Sequence, residues 1–488
     1  MPRADQESAV VAAVPAALFI NGRWRPSSDG QRFPVEDPAT GATLCMVADA
    51  TPEDGMAALD AAVAAQQQWA EYPPRERGEI LHRAYELMLC RQDELALLMT
   101  LEMGKPLPES RNEVAYAAEF FRWFAEQAVR IDGGFAIAPS GSGRLLVMRQ
   151  PVGPALLITP WNFPAAMGTR KIGPAVAAGC TMVLKPASLT PLSMLAITGI
   201  LSECGLPDGV LNTVPTSHAG QLIEPLIRDG RARKLSFTGS TEVGRLLLEQ
   251  CAGQILRTSM ELGGNAPFLV FPDADLDAAL QGAMIAKMRN MGQACTAANR
   301  FYIHADVFDQ FAYQLAERMG ALRLGRGTDE GVQVGPLIEA SARQKVQHLV
   351  EDAVARGAQL LVGGKPVDGP GYFYPPTVLI GVPPEAEIAH TEIFGPVAAL
   401  TPFTSEDEVL AAANDTPFGL VSYVFTNDLH RALRVCERLE AGMVGLNQGM
   451  VSNPAAPFGG VKHSGLGREG GTVGIEEFLE IKYVAVAT

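Results

Sequence analysis

Residues 291–300 read MGQACTAANR and place a thiol, Cys295, among small and polar neighbours with a glycine three positions before it. A free cysteine usually behaves as a small core hydrophobe, so a chemical role requires partners. The thiolate is the attacking form, and an unperturbed pKa near ~8.5 leaves a few per cent ionised at neutral pH. A cysteine that takes up an acyl group also needs an oxyanion donor and a base to release it. TPWNFP supplies Asn162 in a proline-bracketed loop at a strand end, and MELGG supplies Glu261 beside a glycine pair. An amide donates to an oxyanion without competing as a base, and a carboxylate activates water.

Phosphate recognition is the second chemical question. GLGREG, residues 465–470, matches a dinucleotide fingerprint, but it follows no convincing strand and too little chain remains after it for a βαβ unit. SFTGSTEVGRLLLEQ fits better. A strand ends at Phe237, Gly239 makes the turn, and a helix starts near Ser240, whose free N–H groups suit a phosphate. At the end of TMVLKPAS, where an acid often bonds a ribose hydroxyl, stand Lys185 and Ser188, with no carboxylate from 184 to 190. A cation and a hydroxyl suit a 2′-phosphate. A dinucleotide beside Cys295, Asn162 and Glu261 suggests oxidation of a carbonyl held on sulfur.

The elements that must position these residues follow from periodicity. The region to about 130 reads mostly as amphipathic helices, entered through an apolar N-terminus (AVVAAVPAALFI) expected to be a disordered tail leading into a strand rather than a signal peptide. From 150, short apolar runs such as GPALLITP, GCTMVLKP and KLSFTG alternate with helices, the pattern of a parallel, doubly wound sheet. A second α/β alternation runs from ANRFYIH to MVGLNQ, and EIKYVAVAT closes the chain as a β-rich tail. At 488 residues the chain exceeds one ordinary core. A net charge of −15 disfavours nucleic acid or an anionic membrane as partner. Seven scattered cysteines without CxxC fit a reducing compartment, here the cytoplasm, and neither a disulfide framework nor a metal site is expected.

TPWNFP, FTGSTEVG, MELGGNAP, GQACTAANR, EIFGPV, NDTPFGL and PFGGVKHSGLGREGG, in this order, resemble the signature set of the aldehyde dehydrogenase superfamily from about residue 18 to the end. TRKIGPAVAAGC, LKPAS and KMRNMGQAC further resemble its succinate-semialdehyde dehydrogenases, particularly the bacterial NADP-linked type. The resemblance implies an α/β architecture with a Rossmann-like cofactor domain (1–129 and 152–260), a second α/β catalytic domain (261–463) and a small β oligomerisation element (130–151 and 470–488). It implies NADP, with NAD usable, and a homodimer or homotetramer.

It also implies roles. Cys295 attacks the aldehyde, Asn162 and the Cys295 N–H hold the oxyanion, and Glu261 activates the hydrolytic water. Trp161, Lys185, Ser188, Gly239, Ser240, Glu392 and Phe394 match cofactor contacts, and Phe163 and Phe458 match walls of the aldehyde tunnel. Arg170 in GTRKIGP and Arg289 in KMRNMGQAC, the latter on the helix leading into the cysteine loop, match arginines that grip a substrate carboxylate, with Ser452 and Asn453 of MVSNP adding polar contacts. Guanidinium binds a carboxylate bidentately and stays charged at any working pH. In some relatives a second cysteine two places after the nucleophile forms a redox-sensitive disulfide; here Ala297 stands there. The rival readings are glutarate semialdehyde, 2-oxoglutarate semialdehyde or an uncharged aldehyde as substrate. More distant are a non-catalytic protein on this fold, and a cysteine hydrolase, which leaves the dinucleotide motifs unexplained.

Overall fold

Four short, fully buried runs explain the first layer. Ala155–Ile158, Met182–Lys185, Leu211–Thr213 and Lys234–Thr238 have no solvent face, and strands of this kind require helices on both sides. In the computed structural model, which describes residues 4–487, they form a parallel sheet with Arg257–Glu261, which pairs with Lys234–Thr238. Chain order reverses between Ala155–Ile158 and Lys234–Thr238: the strands that follow the first lie on one side of it, the last two on the other. A ligand crevice opens at such a switch point, at the carboxyl ends of the strands. The turn after Ala155–Ile158 carries Trp161 and Asn162, and the turn after Lys234–Thr238 carries Gly239 and Ser240.

Three outer strands complete this eight-stranded sheet: Leu18–Ile20, Arg23–Arg25 and Gly465–Leu466. The last lies within GLGREG and pairs antiparallel with Arg257–Glu261. A second sheet of seven strands is parallel except for its edge, Gln359–Val362, and centres on Ala266–Val270 and Ala298–His304. Phe268 at its middle packs against Phe301, Phe311, Tyr423 and Phe425, with ring centres 4.9–6.5 Å apart. Losing such a buried ring typically destabilises by about 3–5 kcal/mol. A third sheet joins Gly134–Ile137, Arg144–Pro151 and Leu479–Val486 as antiparallel neighbours.

One expectation changes near the N-terminus. Ala4–Ala12 is helical rather than disordered. Val10, Val11 and Val14 pack on a cluster containing Phe33, Leu98 and Leu192, and Glu7 pairs with Arg326 at 2.9 Å. Burial and the ion pair offset the low intrinsic stability of so short a helix. The region before 130 also holds two hairpins besides its helices. Asn21 and Gly22, both left-handed (φ 50° and 74°), turn Leu18–Ile20 onto Arg23–Arg25, as an Asn-Gly hairpin does. Arg32–Asp37 pairs with Ala42–Ala48.

Candidate active site

The helix Ala166–Ala178 begins a few residues after Asn162, so the intervening loop is held at a strand end and a helix start. Asn162 is 4 % exposed. Its Nδ2 donates to the Gln293 carbonyl at 3.1 Å, and its Oδ1 accepts the Phe163 N–H at 3.2 Å. Its own carbonyl accepts from Asn290 Nδ2 and from Lys105 Nζ, each at 2.9 Å. The amide is thus fixed in orientation, and Nδ2 keeps a second hydrogen for a ligand.

The cysteine loop is tied to the same atoms. The helix Leu276–Met288 ends one residue before Arg289, so Arg289 caps that helix rather than lying within it. Asn290, Met291 and Gly292 then adopt left-handed backbone (φ 52°, 54° and 73°), a conformation L residues hold only when surroundings impose it. Here Asn290 N–H donates to Glu109 Oε2 at 2.8 Å and Nδ2 reaches the carbonyls of Asn162 and Gln293. A side chain at Gly292 would meet the Gly395 carbonyl at 2.1 Å, so only glycine fits. On the far side, Tyr423 Oη donates to the Thr296 carbonyl at 2.8 Å, which couples the loop to the Phe268 cluster. Cys295 is partly exposed and lines a cavity of about 310 Å³ with Trp161, Asn162, Gly239, Ser240, Glu392 and Phe394. Burial pushes its thiol up to about 12, with Arg170 opposing and Glu392 and Glu261 adding to the rise.

Glu261 ends the strand Arg257–Glu261 and is buried with neither carboxylate oxygen hydrogen-bonded. Burial, then the nearby charge of Glu469, lifts it well above the ordinary carboxylate range, against the pull of Arg170, Lys171 and Arg468. It does not line the cavity that Cys295 lines; it faces a buried cluster in which Glu469 pairs with Arg170 and Lys171, and Lys171 Nζ donates to Ser236 Oγ at 3.0 Å. An unpartnered buried carboxylate beside such a cluster is a base whose proton affinity is set by its surroundings.

The smaller cavity meets the demands of a dinucleotide. Ser240 caps the helix Thr241–Ala252 through its side chain, and that helix start faces the crevice. A side chain at Gly239 would strike the Phe237 ring at 2.4 Å. Gly264 N–H donates to Glu392 Oε1 at 3.1 Å, and a Cβ on Gly263 would stand 3.0 Å from its other oxygen, so the glycine pair is what lets this carboxylate approach. Phe394, itself left-handed (φ 56°), meets Trp161 edge-on with ring centres 5.4 Å apart. Lys185 is buried, has no ion-pair or hydrogen-bond partner for its ammonium among the described residues, and is pulled down to about 8 by that burial. Neither Lys185 nor Ser188 lines the smaller cavity itself; a buried cation without an anion suits a phosphate. Its loop is joined to the Trp161 loop by Thr159 N–H to the Lys185 carbonyl and Thr190 Oγ1 to the Trp161 carbonyl, each at 3.2 Å, with Ser188 between.

A larger cavity of about 570 Å³ lies on the other side of the Asn162 loop, lined by Phe163, Tyr116, Arg289, Met450 and Ser452 among others. The Arg289 guanidinium sits 4.5 Å from the Phe163 ring centre, touches Met450 Sδ at 3.2 Å, and makes no ion pair among the described residues. Arg170 behaves otherwise. It is 1 % exposed, paired with Glu469, 4.1 Å from the Phe458 ring centre, and lines neither cavity. Of the two arginines expected around a substrate carboxylate, Arg289 lines this cavity without an ion pair among the described residues, whereas Arg170 is paired with Glu469. Phe458 packs under Arg170 rather than lining either cavity. Asn453 is exposed and bonds its own turn at Ala455 N–H, so it does not join Ser452 at the cavity.

Residues 24–484 match the aldehyde dehydrogenase family. The chain belongs to that family. It is 58 % identical over 444 residues to a succinate-semialdehyde dehydrogenase of Paenarthrobacter nicotinovorans, covering 91 % of this chain and 99 % of the relative. It is 51 % identical to a glutarate-semialdehyde dehydrogenase of Pseudomonas putida, covering 96 % and 97 %. A solved structure of an NADP dependent enzyme of E. coli superposes with a TM-score of 0.96 at 49 % identity, covering 97 % of this chain and 98 % of that one. As an aldehyde dehydrogenase, the chain has three further site residues that motif reading passed over. Glu469 sits inside GLGREG, which reads as a rejected phosphate fingerprint and as part of a family motif, neither of which gives it a role. Lys105 follows a helix stop in MGKP, where a lysine ordinarily faces water. Gln293 lies within the GQAC motif, yet nothing local signals that its carbonyl orients Asn162.

Proposed function

We propose that this aldehyde dehydrogenase oxidises succinate semialdehyde to succinate, using NADP+ in preference to NAD+. Arg289 carries the reading: an unpaired guanidinium in the cavity bounded by Phe163 is what an aldehyde with a distal carboxylate needs and an uncharged one does not. Ser452 lines the same cavity and supplies a hydroxyl. Glutarate semialdehyde, the substrate named for one relative, is the second reading, since the same cation serves a chain one methylene longer. An aldehyde panel run with both cofactors tests this: kcat/KM is expected to be highest for succinate semialdehyde, and equal values for butanal would refute the carboxylate reading.

In the mechanism, the Cys295 thiol loses its proton to solvent, the thiolate adds to the aldehyde carbon, and the carbonyl electron pair moves onto oxygen as an oxyanion held by Asn162 Nδ2 and the Cys295 N–H. One such donor is typically worth about 3 kcal/mol. A bound nicotinamide supplies the acceptor for the hydride that leaves this carbon, and a thioester remains on Cys295. Glu261 takes a proton from water, the hydroxide adds to the thioester carbon, and the carbon–sulfur bond breaks to release the acid. Glu261 and Cys295 line different parts of the site, so this step needs the carboxylate to turn toward the thioester.

Glu261→Gln is expected to slow thioester hydrolysis by about 10²-fold or more while leaving hydride transfer largely intact, so rapid mixing shows a burst of NADPH. Equal loss of both steps argues against the base role. Because the carboxyl of Glu261 is raised, its base form is lost as pH falls through that raised value. Steady-state kcat should therefore climb with pH in the wild type and flatten in Glu261→Gln.

Lys185 and Ser188 carry the cofactor preference. Ser188→Glu places a carboxylate against a 2′-phosphate and is expected to turn the kcat/KM ratio toward NAD+ by about tenfold or more. An unchanged ratio places the phosphate elsewhere. Since Lys185 is a cation below about 8 and loses its proton above it, the NADP+ preference should shrink as pH rises past that value.

The expected division of labour, with cofactor held by 1–129 and 152–260, chemistry on 261–463 and assembly through 130–151 and 470–488, stands as part of this proposal. In the third sheet, Phe135, Ile137, Ile481 and Tyr483 are all more than half exposed. The registers place Phe135 and Ile137 on one face and Ile481 and Tyr483 on the other, so both faces of a sheet with open edges carry exposed apolar side chains, which suits pairing with a second copy. No helix among the described residues is long and apolar enough to cross a membrane.

A further inference from the structure

The oxyanion donor is held by a buried ion pair that motif reading did not single out. Lys105 and Glu113 are 1 % and 2 % exposed and pair with each other. Lys105 Nζ also donates to the Asn162 carbonyl at 2.9 Å and lies 4.2 Å from the Phe163 ring centre. Glu113 Oε1 accepts the N–H groups of Ala165 at 3.0 Å and Ala166 at 3.3 Å. One pair therefore grips both ends of the loop 162–166. The grip is itself anchored. Gly104 is left-handed (φ 90°), and the backbones of Gly327 and Gly335 press on residues 104 and 105 so closely that a Cβ on either would stand 2.5 Å or less from a carbonyl oxygen. Burying two charges rarely adds net stability over apolar packing, and here their remaining hydrogen bonds all go to the loop that carries Asn162.

We infer that Lys105 and Glu113 are positioning residues that set the Asn162 amide for oxyanion binding. This rests on the reading of Asn162 as the oxyanion donor. Both side chains also border the larger cavity, so a direct contact with the aldehyde chain is the competing role.

The test uses two reactions of Cys295 that need no cofactor. Acylation by 4-nitrophenyl acetate passes through an oxyanion; alkylation by iodoacetamide does not. The replacement Lys105→Met with Glu113→Gln removes both charges without orphaning either and keeps an acceptor for Ala165 and Ala166. It is expected to lower the acylation rate constant by about tenfold or more, with KM for the ester and the alkylation rate each changed by less than about twofold. Added to Asn162→Ala, it should lower acylation by less than about twofold further, since residues acting through one another are not additive. Lys105→Arg, which keeps the charge but shifts the donor away from the Asn162 carbonyl, should show the same split and serves if the pair replacement does not fold. A full additional loss on top of Asn162→Ala, or alkylation falling in step with acylation, overturns the positioning role. An effect confined to KM assigns the pair to substrate contact instead and also overturns it. Undiminished acylation in Asn162→Ala alone removes the oxyanion reading on which the inference stands.

Discussion

Cys295→Ala is expected to abolish aldehyde oxidation, with kcat lower by about four orders of magnitude or more, while NADP+ should still bind by titration calorimetry. The other six thiols do not substitute. Cys180 and Cys251 are buried and pushed up to about 11, and Cys45, Cys90, Cys204 and Cys436 border neither cavity of the site. Only Cys295 stands against the loop that Asn162 and Gln293 build. Removing one sulfur from a partly exposed position changes stability by about 1 kcal/mol or less, so loss of activity reports chemistry rather than unfolding. In the wild type, burial holds the thiol near 12. Its thiolate fraction, and with it the iodoacetamide rate of the free protein, should rise steadily from about pH 7 to about pH 9. Retained turnover in the alanine variant would remove the covalent mechanism.

Arg289→Ala is expected to lower kcat/KM for succinate semialdehyde by roughly 10²–10³-fold, mostly through KM, while butanal changes by less than about threefold. Truncating one partner of a desolvated charge pair typically loses about 2–5 kcal/mol, and each 1.4 kcal/mol is about tenfold. Arg289→Lys should fall between, because an ammonium keeps the charge but not the two-pronged geometry. Arg170→Ala provides the contrast. It leaves Glu469 and Glu261 as buried carboxylates with less compensation, so it should destabilise the fold by about 3–5 kcal/mol and impair charged and uncharged aldehydes alike. If Arg289→Ala weakens both substrates equally, the carboxylate reading fails and an uncharged aldehyde becomes the better substrate.

Much of the site was legible because its residues sit at element boundaries that short motifs define. Asn162 follows a buried strand between two prolines, Ser240 caps a helix after a glycine turn, and Cys295 leads into a strand, so local sequence marks all three. The glycine pair beside Glu261 reads as flexibility in sequence, yet its structural use is close approach: Glu392, far along the chain, comes within 3.1 Å of Gly264 N–H. Arg170 shows the same dependence on distant sequence. Its spacing from Asn162 is correct for a residue facing the site, but whether it is free depends on Glu469, about three hundred positions away. Lys105 and Glu113 were invisible as functional residues, since a lysine after a helix stop and a glutamate on an amphipathic helix ordinarily face water. The N-terminal helix was missed because its stability lies in Arg326 and the Leu98 cluster, not in its own composition.

The most direct test is mass spectrometry of Glu261→Gln, quenched with acid after mixing with succinate semialdehyde and NADP+. The covalent account predicts one succinyl group per chain, found after digestion on the peptide that contains Cys295, appearing with the burst of NADPH and absent without cofactor. A burst with no adduct, or an adduct on any other residue, would contradict it.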